Sequence, residues 1–205
     1  MGIVKNQTNS EIFTTYKPSR SKTAYSENKA MVKKLLRKEA AQEIIDQMQG
    51  MPKAGQFFEV LTNGQSNAGG FYEVIRDSWN VVHELNLATW IINKDYIDML
   101  FDDLNSGKLL QLNFVISNRM SQLGKGHGPN FNILKTKAME SPKCGFRVAN
   151  SHAKVFSCNN GIEFITVAGS GNWSENPRIE NYSISNDKTR HDFHRDWILE
   201  LINSK

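Results

Sequence analysis

The chain has 205 residues, enough for one α/β domain with a short extension and a substantial core. Its net charge of +4 and sequence pI near 9.0 permit a polyanionic partner without requiring one. The cysteines, Cys144 and Cys158, are too few for a disulfide framework and fit a reducing compartment. There is no apolar signal-peptide core, and no run approaches the roughly 20 apolar residues of a membrane span. We therefore expect a cytoplasmic protein without a membrane segment.

The first 50 residues differ in character from the rest. Residues 1–25 are polar and show no sustained period, which indicates a flexible arm or a segment ordered by contact. Residues 26–49 are rich in helix formers and place apolar residues on one stripe, which predicts an amphipathic helix with Ser26 as its N-cap. The basic residues at 33–38 could touch phosphate, but a solvated helix face is the preferred interpretation.

From residue 55 onward, strand-like and helix-like segments alternate. Strands are predicted over residues 55–64, 87–92, 109–118, 144–158 and 161–170, and helices over residues 71–85, 94–108, 130–141 and 188–205. This alternation predicts an α/β fold whose mostly parallel sheet is flanked by helices on both faces. Asn159 and Asn160 favour a hairpin between the last two strands, so the sheet is expected to be mixed.

Three polar segments look like functional sites but have simpler interpretations. The loop 64–70 lacks the Gly-Lys-Ser/Thr ending of a P-loop and the spacing of a dinucleotide site, which favours a flexible connection. The segment 124–129, which contains His127, is interpreted as a mobile surface loop that borders a site. His191 and His194 lie beside two aspartates, yet no second cluster completes a metal site, so we interpret them as a polar first turn of a helix. We expect neither a metal nor a cofactor.

The strongest chemical signal is the pair His152 and Lys154, which is followed by Gly169-Ser170-Gly171-Asn172. Residues two apart on a strand lie on the same face, so His152 and Lys154 are expected to address one anion together. A nucleophilic imidazole, an ammonium group, a hydroxyl and an amide together suit a phosphodiester.

This pattern resembles the signature of the phospholipase D superfamily, which is His-x-Lys, four residues, Asp, and later Gly-Ser-x-Asn. His152 and Lys154 match the first half, and the segment 169–172 matches the second. The chain departs from the signature at Asn159, which stands where the family has its aspartate. Asparagine keeps the size and an acceptor of that aspartate but loses the charge. Glu180 lies where the family commonly has a downstream acid.

The resemblance implies a division of the chain and a set of roles. Residues 51–205 would form a phospholipase D-like catalytic domain, preceded over residues 1–50 by a polar arm and an amphipathic helix. His152 would attack phosphorus and form a phosphohistidine. Glu180 would orient an imidazole. The remaining site residues would surround the non-bridging phosphate oxygens and stabilise their charge: Lys154, Ser170 and Asn172.

The mechanism needs a second histidine to protonate the leaving oxygen, and the chain has no second His-x-Lys. The resemblance therefore implies a homodimer that brings two copies of His152 across a two-fold axis. Metal is not needed, because the lysines stabilise the charge. The expected function is a metal-independent DNA endonuclease.

Two alternatives to the endonuclease remain open at this point. One is a phospholipase or another phosphodiester transferase. The other is a catalytically lapsed nucleic-acid-binding or structural component, docked into a larger assembly through residues 1–50.

Overall fold

The computed structural model describes residues 3–6, 29–124, 127–175 and 177–204, with the backbone alone described at 3–6 and 29–34. The predicted N-cap Ser26 and most of the predicted polar arm lie outside these ranges. One strand, Ile3–Asn6, is found within residues 1–25, which were expected to be a flexible arm or a segment ordered by contact, and it pairs with the strand that contains residues 58–61.

Eight strands of the described chain form one sheet. They are β1 Ile3–Asn6, β2 Phe57–Thr62, β3 Val82–Thr89, β4 Leu109–Ser117, β5 Cys144–Ala149, β6 Val155–Asn159, β7 Phe164–Gly169 and β8 Glu180–Asn186. The helices are α1 Lys29–Gln47, α2 Ala68–Ser78, α3 Lys94–Ser106, α4 His127–Glu140 and α5 Lys188–Asn203, with a short 3-10 helix at Asn118–Gln122.

The strand order is β1-β2-β8-β7-β6-β3-β4-β5. β3, β4 and β5 run parallel to one another, whereas the other five pairings are antiparallel. The predicted mixed sheet is confirmed, including the hairpin between β6 and β7. The expectation that the sheet is mostly parallel is wrong, because β6, β7 and β8 follow one another without the crossover helices that parallel pairing requires.

Helices cover both faces of the sheet, as predicted. Leu87 packs in the main core cluster with apolar residues of α1 to α4, whereas its neighbour Ala88 packs with Ile198 of α5. Because successive strand residues point to opposite faces, α5 lies on the face opposite the other helices. No helix in the described ranges is long and apolar enough to cross a membrane.

Several element predictions were wrong. The single strand predicted over residues 144–158 is two strands, β5 and β6, joined by an extended connection at 150–154. The helix predicted over residues 71–85 begins and ends earlier, and its last residues belong to β3. β8 was not predicted, because its polar composition resembles a turn.

Candidate active site

The predicted site residues come together at one end of the sheet. Ala88 near the end of β3 pairs with Val155 at the start of β6, and Val155 pairs with Ala168 near the end of β7. Gly169 then pairs with Tyr182 near the start of β8. Residues that follow β3 and β7, or precede β6 and β8, are therefore neighbours.

His152 and Lys154 were expected to lie within a strand. They lie instead in the extended connection before β6. Lys154 Nζ is 3.1 Å from His152 Nδ1 and donates a hydrogen bond of 3.1 Å to the His152 carbonyl oxygen. The Gly169 N–H donates to the Lys154 carbonyl at 3.0 Å, which fixes this connection against β7. His152 is exposed, so a substrate can reach the imidazole.

Lys154 is partly buried and lies near the acidic residue Glu180. Burial lowers the pKa of its ammonium group, and the charge of Glu180 opposes that shift. The interaction places a cation and an anion in the same site. Lys154 is held by its hydrogen bond to the His152 carbonyl oxygen and lies within electrostatic reach of Glu180.

Ser170 and Glu180 form a second cluster beside the lysine. The exposed Ser170 hydroxyl donates a short hydrogen bond to Glu180 Oε2, and the Asn181 N–H donates to Ser170 Oγ at 3.0 Å. The Ser170 N–H donates in turn to the Asn181 carbonyl at 3.0 Å. These bonds join the end of β7 to the start of β8. The role predicted for Glu180, orienting an imidazole, stays a prediction.

Asn172 is nearly buried and is held from the end of β3. The single Thr89 hydroxyl proton is shared between the Ile91 carbonyl oxygen at 3.1 Å and Asn172 Oδ1 at 3.4 Å. The next residue is fixed as well, because the Asn93 N–H donates to the Trp173 carbonyl at 2.9 Å. Gly171 permits this path, since a Cβ there would lie 1.8 Å from the Tyr182 hydroxyl oxygen.

Sequence reasoning missed Trp90, which directly follows β3. Its ring centroid lies 5.1 Å from that of His152, and Lys154 Nζ lies 5.8 Å from the centre of the Trp90 ring. The indole therefore contacts both halves of the His-x-Lys pair. The available signal was its position after a buried strand, but Trp90 had been placed inside a predicted strand.

An open cleft of about 560 Å³ adjoins the imidazole. Its lining includes Trp90, Arg119, Gln122, Asn150 and His152. Arg119 and Gln122 come from the 3-10 helix after β4, whose start is held by a hydrogen bond of 3.3 Å from the Arg119 N–H to Ser117 Oγ. Neither residue was singled out in the sequence, because only the parallel pairing of β3 with β4 brings them to this end.

The other four histidines lie on helices or at the opposite end of β3. His83 is close to Gly161 in the β6–β7 turn, at the opposite end of the sheet. His191 and His194 belong to α5, where Trp197 Nε1 donates to His194 Nδ1 at 3.1 Å. His127 begins α4. Within the described ranges there is no group of three or more His, Cys, Asp or Glu side chains that could hold a metal ion.

The basic residues of α1 form intrachain ion pairs where their side chains are described. Arg37 is buried and pairs with Asp95 at 3.0 Å and with Glu175 at 3.4 Å. Lys38 pairs with Asp77 at 2.5 Å. The interpretation as a solvated face is therefore wrong for Arg37, because α1 packs its guanidinium between α3 and the loop that follows Asn172.

No protein-family model and no curated protein matches the sequence. Among solved structures, the chain is similar to a phospholipase D family member, Nuc from Salmonella typhimurium, at 14% identity and a TM-score of 0.48, over 64% of this chain and 86% of that one.

The chain is also similar to two further solved structures. Polyphosphate kinase from Porphyromonas gingivalis has 14% identity and a TM-score of 0.45, over 64% of this chain and 23% of that one. Phosphatidylserine synthase from Haemophilus influenzae has 14% identity and a TM-score of 0.46, over 73% of this chain and 38% of that one. This chain thus spans less than half of either protein. At these values the likeness concerns the course of the chain and transfers no activity.

Asn159, the departure from the phospholipase D signature, lies at the far end of β6 from His152. Its Oδ1 accepts a hydrogen bond of 3.2 Å from the Gly161 N–H, which leaves its amide nitrogen 3.3 Å from His191 Nε2. His191 Nδ1 is 3.1 Å from Asp192 Oδ1, so a neutral imidazole with its proton on Nδ1 satisfies both neighbours. Burial lowers the pKa of His191, which favours this neutral form.

Proposed function

We propose that the protein is a metal-independent phosphodiesterase that cleaves DNA through a phosphohistidine intermediate. The observation that carries the proposal is the contact between a nucleophile and a cation at an open site: Lys154 Nζ lies 3.1 Å from Nδ1 of the exposed His152. A phosphate bound against this pair would meet an attacking nitrogen and a positive charge at once.

In the first step, an unprotonated His152 nitrogen attacks phosphorus. A P–N bond forms while the bond from phosphorus to the leaving oxygen breaks, and that oxygen takes a proton from a general acid. In the second step, a water molecule gives a proton to the same group and attacks phosphorus, and the P–N bond breaks. Lys154 and Asn172 would stabilise the charge that develops on the non-bridging oxygens.

Ser170 has a conditional part in this scheme. In the substrate-free arrangement its proton is directed to Glu180 and its oxygen accepts from the Asn181 N–H. Ser170 can donate to a phosphate oxygen only by exchanging its bond to Glu180. Before that exchange, the pair joins β7 to β8 and keeps the Glu180 charge near Lys154.

The general acid is the His152 of a second copy of the chain. Of the described histidines other than His152, His191 and His194 lie on α5 and His83 lies at the opposite end of the sheet, whereas His127 begins α4 near the cleft but has no lysine two residues after it. A two-fold dimer that apposes two His152 side chains would supply the missing group without any further residue type.

DNA is favoured as the substrate by the charge around the site. The net charge is +4, and the cationic side chains Lys154 and Arg119 both lie at the cleft end of the sheet. The lining of the cleft contains no acidic residue. A phosphate backbone gains from such a surface through counterion release.

The test is cleavage of a single-stranded DNA oligonucleotide and of plasmid DNA, in excess EDTA, by the wild type, His152→Ala and His83→Ala. We expect activity in the wild type, a loss of at least about 10³-fold in His152→Ala, and wild-type activity in His83→Ala. The control removes an imidazole from the opposite end of the sheet. Circular dichroism spectra of all three proteins check that the fold is retained.

Other outcomes would reject the proposal in distinct ways. Equal cleavage by His152→Ala would exclude His152 as the nucleophile. DNA binding that weakens steeply with salt, without any cleavage, would favour the catalytically lapsed alternative. Hydrolysis of phospholipid vesicles but not of DNA would favour a phospholipase.

A further inference from the structure

The cleft beside His152 combines features that recognise an unpaired nucleotide. It offers an indole ring from Trp90, a guanidinium from Arg119, and amide groups from Gln122 and Asn150. Aromatic rings and guanidinium planes stack on exposed bases, and amides bond to base edges. Its volume of about 560 Å³ lies within the range of small-ligand pockets.

Arg119 is available to a ligand. Its side chain is exposed, and its Nη1 donates to the neutral Gln122 Oε1 at 3.4 Å. Among the described residues, the arginines that form ion pairs with carboxylates are Arg37, Arg76 and Arg195. The Arg119 guanidinium can therefore contact an anion or stack on the face of a base.

Trp90 connects this cleft to the proposed nucleophile. It lines the cleft and also contacts the imidazole, with 5.1 Å between the two ring centroids. A base stacked on the indole would place the adjoining phosphate near His152. A base inside a duplex cannot make this contact, because both of its faces are stacked within the helix.

We propose that the cleft lined by Trp90 and Arg119 binds an unpaired nucleotide next to the scissile phosphate, so that the substrate is single-stranded nucleic acid. This inference rests on the proposed function for the cleavage step. The binding preference itself can be measured without cleavage.

The experiment measures affinity by fluorescence anisotropy in full-length protein carrying His152→Asn, which prevents cleavage. The probes are a labelled single-stranded 20-mer and the duplex of the same sequence. We expect tighter binding of the single strand. Adding Trp90→Ala should weaken single-strand binding about 5- to 160-fold, the range for loss of one base-stacking side chain, with a much smaller effect on the duplex. Trp90→Phe should recover much of the loss.

Matched controls separate the cleft from general effects. Phe193→Ala removes an exposed aromatic ring from α5, and Lys53→Gln removes a positive charge near the opposite end of the sheet. Both should leave the preference for the single strand intact. Arg119→Gln should reduce it more than Lys53→Gln does. Thermal melting of each variant identifies any that fails to fold, and Trp90→Leu, which keeps apolar bulk but has no aromatic ring, then serves in place of Trp90→Ala.

The possible failures are distinguishable. Equal affinity for the single strand and the duplex, or an equal loss for both in Trp90→Ala, would overturn this inference and leave the cleavage proposal standing. Preference for the single strand that depends on Trp90, in a wild type that hydrolyses neither DNA nor bis(p-nitrophenyl) phosphate, would support the cleft and overturn the proposed function. Tight binding of anionic lipid vesicles in place of the oligonucleotide would overturn the nucleotide assignment.

Discussion

At the scale of single residues, Gly171 tests whether the turn that holds Asn172 depends on close packing. A Cβ at this position would lie 1.8 Å from the hydroxyl oxygen of the buried Tyr182. Gly171→Ala must therefore displace either the turn or the tyrosine. We expect it to lower the free energy of unfolding by about 1–3 kcal/mol, as overpacking does, and to reduce cleavage at least tenfold. Urea denaturation and the EDTA-resistant cleavage assay measure the two effects.

Gly124→Ala is the matched control, because a Cβ there would meet no atom within 4 Å. Its stability should stay within about 0.5 kcal/mol of the wild type. If both variants had the same free energy of unfolding, the close approach of Gly171 to Tyr182 would not affect stability.

Asn159 has a measurable consequence for the pH dependence of stability. In the wild type, burial keeps the pKa of His191 below its usual value near 6.5. The unfolded chain then binds more protons, so this contribution to stability falls as pH drops below about 6.5. In Asn159→Asp, carboxylates at 159 and 192 would flank the imidazole, with Glu84 and Arg195 also acting on it. The pKa of His191 should then rise above its usual value.

The sign of the dependence reverses in that variant. A raised pKa contributes stability below about pH 6.5 that is lost as pH rises through the new value. The stability deficit of Asn159→Asp should therefore be larger at pH 8 than at pH 6, by at most about 1.4 kcal/mol for each unit by which the pKa rises. Urea denaturation at both pH values measures it. The same substitution in a His191→Gln background should lose this dependence, and parallel pH profiles for Asn159→Asp and the wild type would contradict the prediction.

At the scale of elements, α1 is joined to the site through Arg37. The guanidinium is buried, lies 5.4 Å from the centre of the Tyr96 ring, and pairs with Asp95 and Glu175. Arg37→Ala would leave these carboxylates without it and loosen the loop after Asn172. Because both acids are partly exposed, we expect a loss of about 1–3 kcal/mol in unfolding free energy, less than for a fully buried pair. Thermal and urea denaturation measure the loss.

Lys38→Ala on the same helix provides the comparison. Its ion pair with Asp77 is about one-third exposed on each side, so its loss should cost less than about 1 kcal/mol. Equal losses for the two variants would show that Arg37 anchors α1 no better than a surface lysine does.

The elements also show what the sequence was able to predict. α3, β4 and α5 were found within two or three residues, because apolar periodicity and glycine or asparagine at their ends mark them clearly. β8 was missed because only Tyr182 and Ile184 alternate with polar residues there. His152 and Ser170 could be singled out because their motif is local. Trp90 and Arg119 could not, since strand register alone brings them together.

At the scale of the whole molecule, the proposed mechanism requires two chains at one site. One chain supplies a single His152, and the cleavage steps need a nucleophile and a separate general acid. We therefore expect sedimentation velocity to give a mass twice that of the 23.3 kDa chain. A monomer that cleaves DNA at full rate would contradict the dimer.

Mixed dimers make this requirement quantitative. Random pairing of equal amounts of wild-type and His152→Ala chains produces about one quarter wild-type pairs and about one half mixed pairs. If a site uses both copies of His152, mixed pairs are inactive, and the cleavage rate falls to about one quarter of that of the wild type at the same total concentration. If each chain acts alone, the rate falls only to about one half. Co-refolded mixtures with His83→Ala in place of His152→Ala should keep the full rate, because His83 lies at the opposite end of the sheet.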